Sequence, residues 1–356
     1  MALHPADEPG PYPAEVRHRI RRDVETDYPY VARSLNECGV KVVCVQHEFG
    51  IWGGEDGGYV LDFVGALRVP VVSTLHTVLP RPTSAQRDIV RELVSVSEMS
   101  VVMSRSNAML LSSVYGVDAT RIAVVPHGIP HLPFVASDTG KPRLGLKDRA
   151  VILSFGLIGP GKGFESVIDA MPAVIKSVPS ACYVILGATH PAVLAREGEA
   201  YRASLQKRVA ALGLSEHVQF VDRFVGRVEL GTWLEAADIV ATPYPNLDQS
   251  TSGTLSYGMA AGKAVVSTPF AYASELLAEG RGRLVSGRSP EAFAESLVEL
   301  LSDHQLRAAM GRRAYEHTRG MVWWEVGAAY RRIFDRAAGA VAPLPFQPTP
   351  AFAAVV

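Results

Sequence analysis

Several stretches of this chain carry residue types and spacings suited to chemistry. Asp248 to Pro269 reads DQSTSGTLSYGMAAGKAVVSTP: hydroxyls and a glycine, then small apolar residues, then a β-branched run. Ser250, Thr251, Ser252 and Thr254 can cap a helix while leaving amides for an anion, and Gly253 lets a ligand approach the backbone. Capping with no ligand accounts for the same residues. A second stretch, SFGLIGPGKGFE at 154–165, sets glycines, a proline and Lys162 between an apolar run and a helical pattern. Amides in such a turn, Gly161 among them, can point at an anion, with Lys162 adding charge near the helix start. The P-loop pattern fails because Gly163 follows the lysine, and the dinucleotide glycine spacing is absent. Glycine-rich turns are common, so this signal is weak alone.

Histidines and acids follow other apolar runs. His47 and Glu48 precede the glycine-rich FGIWGGEDGG, where Glu48 can orient an acceptor hydroxyl. A strand-end histidine and an acidic helix cap explain the pair equally. His76 ends VPVVSTLH, where an imidazole can reach a hydroxyl or phosphate, as can Thr74 and Thr77 beside it. A core histidine bonded to backbone is the alternative. His127 lies in VVPHGIP, with Gly128 permitting a tight turn that can be purely structural, and Glu275 lies in FAYASELL, able to accept bonds from hydroxyls. There is no G-x-S-x-G elbow, no H-E-x-x-H and no aspartate cluster, so no metal site is expected.

The elements that must position these residues are short valine-rich runs separated by helical patterns. Runs at 40–46, 69–76, 100–104 and 122–128 come first, with helices over 27–39, 84–97 and 105–114. A second series has runs at 150–156, 182–188, 218–224, 239–245 and 264–269. Its helices fall near 163–176, 198–212, 228–236, 290–302, 303–317 and 323–337. This is the grammar of buried parallel strands with crossover helices. The polar, turn-rich segment at 133–149 breaks the rhythm. The expected domains are 1–138, 139–320 and a C-terminal helix with a Pro/Ala-rich tail at 321–356, the helix packing back on the first domain. Ligands in such sheets bind beyond the carboxyl ends of strands, and two such domains leave a cleft between those ends.

Composition limits the partners. The 356 residues include 35 Lys and Arg against 36 acids, scattered rather than striped, which excludes a general nucleic-acid partner. Cys38, Cys44 and Cys182 form neither a zinc pair nor a disulfide framework, which fits a reducing cytoplasm. The amino terminus lacks the apolar core of a signal peptide, and no run of residues is long and apolar enough to span a bilayer. Peripheral membrane contact and a homo-oligomer stay open.

In order and spacing, these segments resemble the retaining group 1 glycosyltransferases of the GT-B fold, over roughly residues 30 to 335. VVPHGI resembles the family's P-N/H-G-I segment, and FGLIGPGKG its G-R-L-x-x-x-K-G loop. EAADIVATPYPN resembles A-D-x-x-x-x-P-S, and GMAAGKAVVSTP resembles E-A-M-A-x-G-x-P-V-V-A. The resemblance implies two facing Rossmann-like domains and transfer from a nucleotide-diphosphate sugar to a hydroxyl of a small-molecule or glycan acceptor, without metal or other cofactor. It implies that Lys162 contacts the donor diphosphate, that Ser250 to Thr254 hold the sugar and distal phosphate, and that Glu275 lies near the nucleotide. His76 would lie near the transferred sugar and the acceptor, with His47, Glu48 and His127 on the acceptor side.

The departures from the pattern bear on mechanism. Leu157 stands where the family has arginine, and the Glu-x7-Glu pair falls on Gln249 and Tyr257. Gln249 can bond sugar hydroxyls but carries no charge, and Tyr257 can reach a ribose or stack. The strand, glycine turn and helix that usually open the first domain are also expected to be missing. A phosphorylase or pseudo-glycosyltransferase using the same pocket, or a non-catalytic binding or assembly protein, are the alternatives.

Overall fold

A computed structural model describes residues 1–5, 10–286 and 289–339, so the Pro/Ala-rich tail beyond Gly339 lies outside the described residues. The described residues fall into two units, one of Met1–Pro126 with residues 326–339, the other of His127–Glu325. Residues 127–138, read from sequence as the end of the first domain, are grouped with the second. There Ile129 bridges Val322, and its amide donates to the Met321 carbonyl at 2.9 Å.

The first unit opens with β1 (Ala2–His4) and β2 (Arg19–Arg21), a two-stranded parallel pair that the sequence did not announce. Four parallel strands follow in the order β3-β4-β5-β6: β3 (Val43–His47), β4 (Val71–Leu75), β5 (Ser97–Val102) and β6 (Ile122–Val124). The helices of this unit are α1 (Asp27–Glu37), α2 (Val60–Gly65), α3 (Ser84–Val96) and α4 (Arg105–Tyr115). Thr83 and Gln86 form a reciprocal capping box on α3, while Ser104 caps α4 and left-handed Gly116 ends it.

The second unit holds one six-stranded parallel sheet in the order β12-β11-β10-β7-β8-β9. Its strands are β7 (Ala150–Phe155), β8 (Ala181–Leu186), β9 (Val218–Val221), β10 (Ile239–Thr242), β11 (Ala264–Ser267) and β12 (Arg283–Leu284). Along β7, Ile152 faces one apolar cluster while Val151, Leu153 and Phe155 face another, so both sides of the strand are buried. That explains a continuous apolar run instead of an alternating one. The helices are α5 (Phe164–Ser177), α6 (Pro191–Glu197), α7 (Ala200–Ala211), α8 (Arg227–Ala236), α9 (Gly253–Ala260), α10 (Ala271–Leu276), α11 (Pro290–Ser302) and α12 (His304–His317). The final helix, α13 (Trp323–Ala337), places Val326, Tyr330 and Phe334 on Val72, Val101 and Val125 of the first unit's sheet.

The strand order reverses between β7 and β10. Successive strands run outward from β7 through β8 to β9, then from β10 through β11 to β12. The loops leaving β7 and β10 therefore diverge and open a crevice at their carboxyl ends, the usual ligand position in such sheets.

Candidate donor site

The loop leaving β7 is shaped by glycines. Gly156 has φ +115° and Gly187, at the end of the neighbouring β8, has φ +153°. A Cβ on Gly187 would lie 1.9 Å from the Gly156 carbonyl oxygen, so no side chain fits there. Gly163 is left-handed, at φ +65°, and a Cβ would sit 2.1 Å from the Pro243 carbonyl oxygen. This contact brings the β7 loop onto the β10 loop, with Lys162 at their junction.

Lys162 Nζ donates to the Tyr244 hydroxyl at 3.3 Å and lies 4.6 Å from that ring's centroid. It also lies beside Gly156, 4.0 Å from the place a Cβ would occupy. Tyr244 is buried and stacks on Phe270 at 5.2 Å between centroids, and its hydroxyl is 3.2 Å from Ser252 Oγ. Ser252 Oγ in turn accepts the Leu255 amide at 3.2 Å and caps α9. Since Ser256 N bonds Ser252 O, the amides of Gly253 and Thr254 begin the helix without an intrahelical acceptor. A helix N-terminus of this kind carries partial positive charge.

The remaining expected donor residues surround this centre unevenly. Thr254 Oγ1 donates to the Phe155 carbonyl at 3.2 Å, tying α9 to β7. Ser250 is buried, and Thr251 accepts at its carbonyl from Gln249 Nε2 at 2.9 Å, so the Gln249 amide is engaged within its own loop. Gly161 is exposed on the turn before Lys162. Glu275 lies in α10, half-buried, with its carbonyl accepting from Arg281 at 3.2 Å. Nearby Tyr272 is buried, and its hydroxyl is 2.9 Å from Ser256 Oγ. Burial, reinforced by the Glu275 charge, pushes the Tyr272 phenol well above its usual range.

A cavity of about 590 Å³ adjoins the centre, with Gly156, Gly187 and Ala188 on its surface and Phe155, Leu186, Val225 and Leu230 around it. His127, Leu157, Phe224, Gly226, Arg227, Gly253, Thr254 and Tyr257 complete the lining. His127 is grouped with the second unit, which no local pattern around VVPHGIP announces, and its ring lies against Gly253, 3.4 Å from the position of an added Cβ, with Nδ1 bonded to the Gly128 carbonyl at 2.9 Å. Tyr244 was missed for a similar reason: TPYP looks like an ordinary turn until Lys162 and Ser252 meet it.

In the first unit, inward-pointing positions alternate along β3, and His47 takes one of them. It is fully buried, packs edge-on against Phe49 at 5.0 Å, and neither ring nitrogen has a partner among the described residues. Burial, with a smaller contribution from His76, holds its pKa down at about 4. His47 is thus a buried strand-end histidine in this structure. Thr74 is fully buried as well, with its hydroxyl 3.0 Å from that of Tyr330. His76, Glu48 and Thr77 do gather at the ends of β3 and β4. His76 Nε2 is 2.8 Å from Gln46 Oε1, an acceptor that calls for a protonated nitrogen, and burial lowers the ring's pKa. Thr77 Oγ1 donates to Glu48 Oε2 at 2.6 Å.

A six-stranded parallel sheet with a cation and a capped helix at its switch point defines an α/β protein of the nucleotide-binding kind. Residues 137–317 match the family described as Glycosyl transferases group 1, and residues 4–131 match Glycosyltransferase Family 4. The chain belongs to the group 1 glycosyltransferases. It is 27% identical over 288 residues to the D-inositol 3-phosphate glycosyltransferase of Corynebacterium efficiens, covering 76% of this chain and 66% of the relative. Identity is 30% over 296 residues to that of Xylanimonas cellulosilytica, covering 76% and 67%. The chain therefore spans about two thirds of the length of these curated relatives. The fold is shared with Anabaena Alr3699/HepE, solved in complex with UDP, at TM-score 0.72 and 18% identity over 87% of this chain and 82% of that one. Among the described residues no three or more His, Cys, Asp or Glu gather where they would hold a metal ion, and no helix is long and apolar enough to cross a membrane.

Proposed function

We propose that the chain is a retaining glycosyltransferase that moves a sugar from a nucleoside-diphosphate sugar to a hydroxyl acceptor without a metal. The observation carrying this reading is the meeting, at the sheet's switch point, of the Lys162 ammonium, the α9 amides and the adjoining cavity. A nucleoside fits a largely apolar cavity of about 590 Å³, and its diphosphate would reach the two sources of positive charge. As the sugar leaves, negative charge accumulates on the distal phosphate. Groups already aimed there stabilise that charge without reorganising. Lys162 supplies the full charge, Gly253 and Thr254 the amides, and Gln249 and Thr251 the polar edge toward the sugar. Glu275 takes the nucleotide end.

In this reading the second unit serves the donor, and Glu48, Thr77 and His76 of the first serve the acceptor. His76, its pKa lowered, is neutral at pH 7 and suited to hydrogen bonding with a hydroxyl. The relatives named for D-inositol 3-phosphate make a phosphorylated polyol the first acceptor to assay. Cys38, Cys44 and Cys182 are unpaired, which suits a reducing cytoplasm.

Calorimetry with UDP- and GDP-sugars, followed by turnover on an acceptor panel, tests the proposal. Saturable binding with release of the nucleoside diphosphate is expected. A folded chain that binds none of the donors overturns it. Phosphate-dependent release of a sugar phosphate with no nucleotide assigns the phosphorylase reading instead.

A further inference from the structure

We propose that Tyr244 is a positioning residue for the donor diphosphate, fixing the Lys162 ammonium relative to the start of α9. The inference rests on the donor-site reading and goes beyond it, because Tyr244 does not line the cavity. Lysine has a flexible four-carbon stem, and an ammonium free to swing into water is a poor preorganised electrostatic partner. Here the ammonium has two attachments to one ring: the phenolic oxygen at 3.3 Å and the π-face at 4.6 Å from the centroid. The ring itself cannot turn, being 4% exposed and stacked on Phe270 with 19° between planes.

The same hydroxyl reaches the other half of the anion centre. It lies 3.2 Å from Ser252 Oγ, the oxygen that caps α9 and accepts the Leu255 amide at 3.2 Å. One phenol therefore couples the full positive charge on the β7 loop to the helix amides on the β10 side. Neither partner needs it to exist, since Ser252 can cap alone and Lys162 can extend alone. What the hydroxyl adds is their relative placement before a ligand arrives. Because Gly163 already presses the two loops together, with a Cβ position only 2.1 Å from the Pro243 carbonyl oxygen, the bridge spans a fixed gap.

Tyr244→Phe keeps the stack and the π-face but removes the bridging oxygen. Calorimetric titration with UDP and with GDP should show about fivefold weaker binding of whichever the wild type binds, within the range of one ordinary hydrogen bond. In a Lys162→Ala background, the same substitution should change affinity by less than about twofold, since the group it positions is gone. Turnover should show the loss in donor KM, with acceptor KM unchanged. Ser252→Gly, which keeps an acceptable helix cap, removes the other end of the bridge and carries the test if the phenylalanine protein does not fold. Its effect and that of Tyr244→Phe should not add. Unchanged affinity in Tyr244→Phe, or full additivity with Lys162→Ala, overturns the positioning role while leaving the donor site standing. Failure of the wild type to bind either diphosphate overturns both.

Discussion

Acidification should loosen the first unit through His47. Its ring is fully buried with both nitrogens unpartnered among the described residues, and burial moves the pKa from 6.5 down to about 4. Between those values the unfolded chain takes up a proton that the folded chain refuses. The stability from keeping the ring neutral is complete above pH 6.5 and is lost as pH falls toward about 4. The slope is about 1.4 kcal/mol per pH unit, so the whole loss is about 3 kcal/mol, a large share of an ordinary domain's stability. With two units in the chain, a global melt mixes their transitions. Hydrogen exchange of peptides spanning β3, corrected for the intrinsic pH dependence, reads the opening free energy of this unit alone. His47→Leu is close in volume and cannot titrate, so its opening free energy should fall less steeply over the same range. His76, also lowered by burial, is present in both proteins and drops out of the comparison. Equal slopes in the two proteins would refute the reasoning and return His47 to the list of groups with a task outside the core.

Three further outcomes are expected. Lys162→Ala should weaken nucleoside-diphosphate binding by about 1–3 kcal/mol, the cost of losing a charged hydrogen-bond partner, and calorimetry showing equal affinity would remove Lys162 from the site. Gly163→Ala should destabilise the second unit by more than about 2 kcal/mol, because left-handed strain adds to a collision with the Pro243 carbonyl, measurable as a lower opening free energy in hydrogen exchange of peptides spanning β7 and α5. Gln249→Glu replaces an amide that donates to the Thr251 carbonyl with a carboxylate that cannot, so it should change kcat/KM unequally across donors. Equal change on every donor would mean that Gln249 does not touch the sugar.

Much of the fold could be read because its signal is local. Runs such as AVILSFG and CYVILGA mark β7 and β8 because a strand buried on both faces must be apolar throughout. The elements that escaped notice are short. Arg19–Arg21 and Arg283–Leu284 are strands of arginine-flanked residues with no apolar period to display, and α6 spans only Pro191–Glu197. The site divides along the same line. Lys162 and Ser252 announce themselves through glycine turns and helix caps, which are properties of neighbouring residues. The position of the His127 ring beside Gly253, and of Tyr244 between Lys162 and Ser252, arises from sheet order and loop crossing. His47 shows the limit most plainly. A histidine at a strand end faces in or out according to one step of a two-residue alternation, and a boundary uncertain by one residue reverses the answer.

The glycine pair at the ends of β7 and β8 also limits how this protein can change. Because a Cβ on Gly187 would lie 1.9 Å from the Gly156 carbonyl oxygen, that part of the cavity surface stays bare main chain. Main chain has no alphabet: mutation cannot give it a charge, a hydroxyl or a different bulk. Drift or engineering toward another occupant must instead work at positions with replaceable side chains, such as Phe224, Arg227 and Tyr257. Libraries confined to those positions would sample new preferences without disturbing the glycine floor.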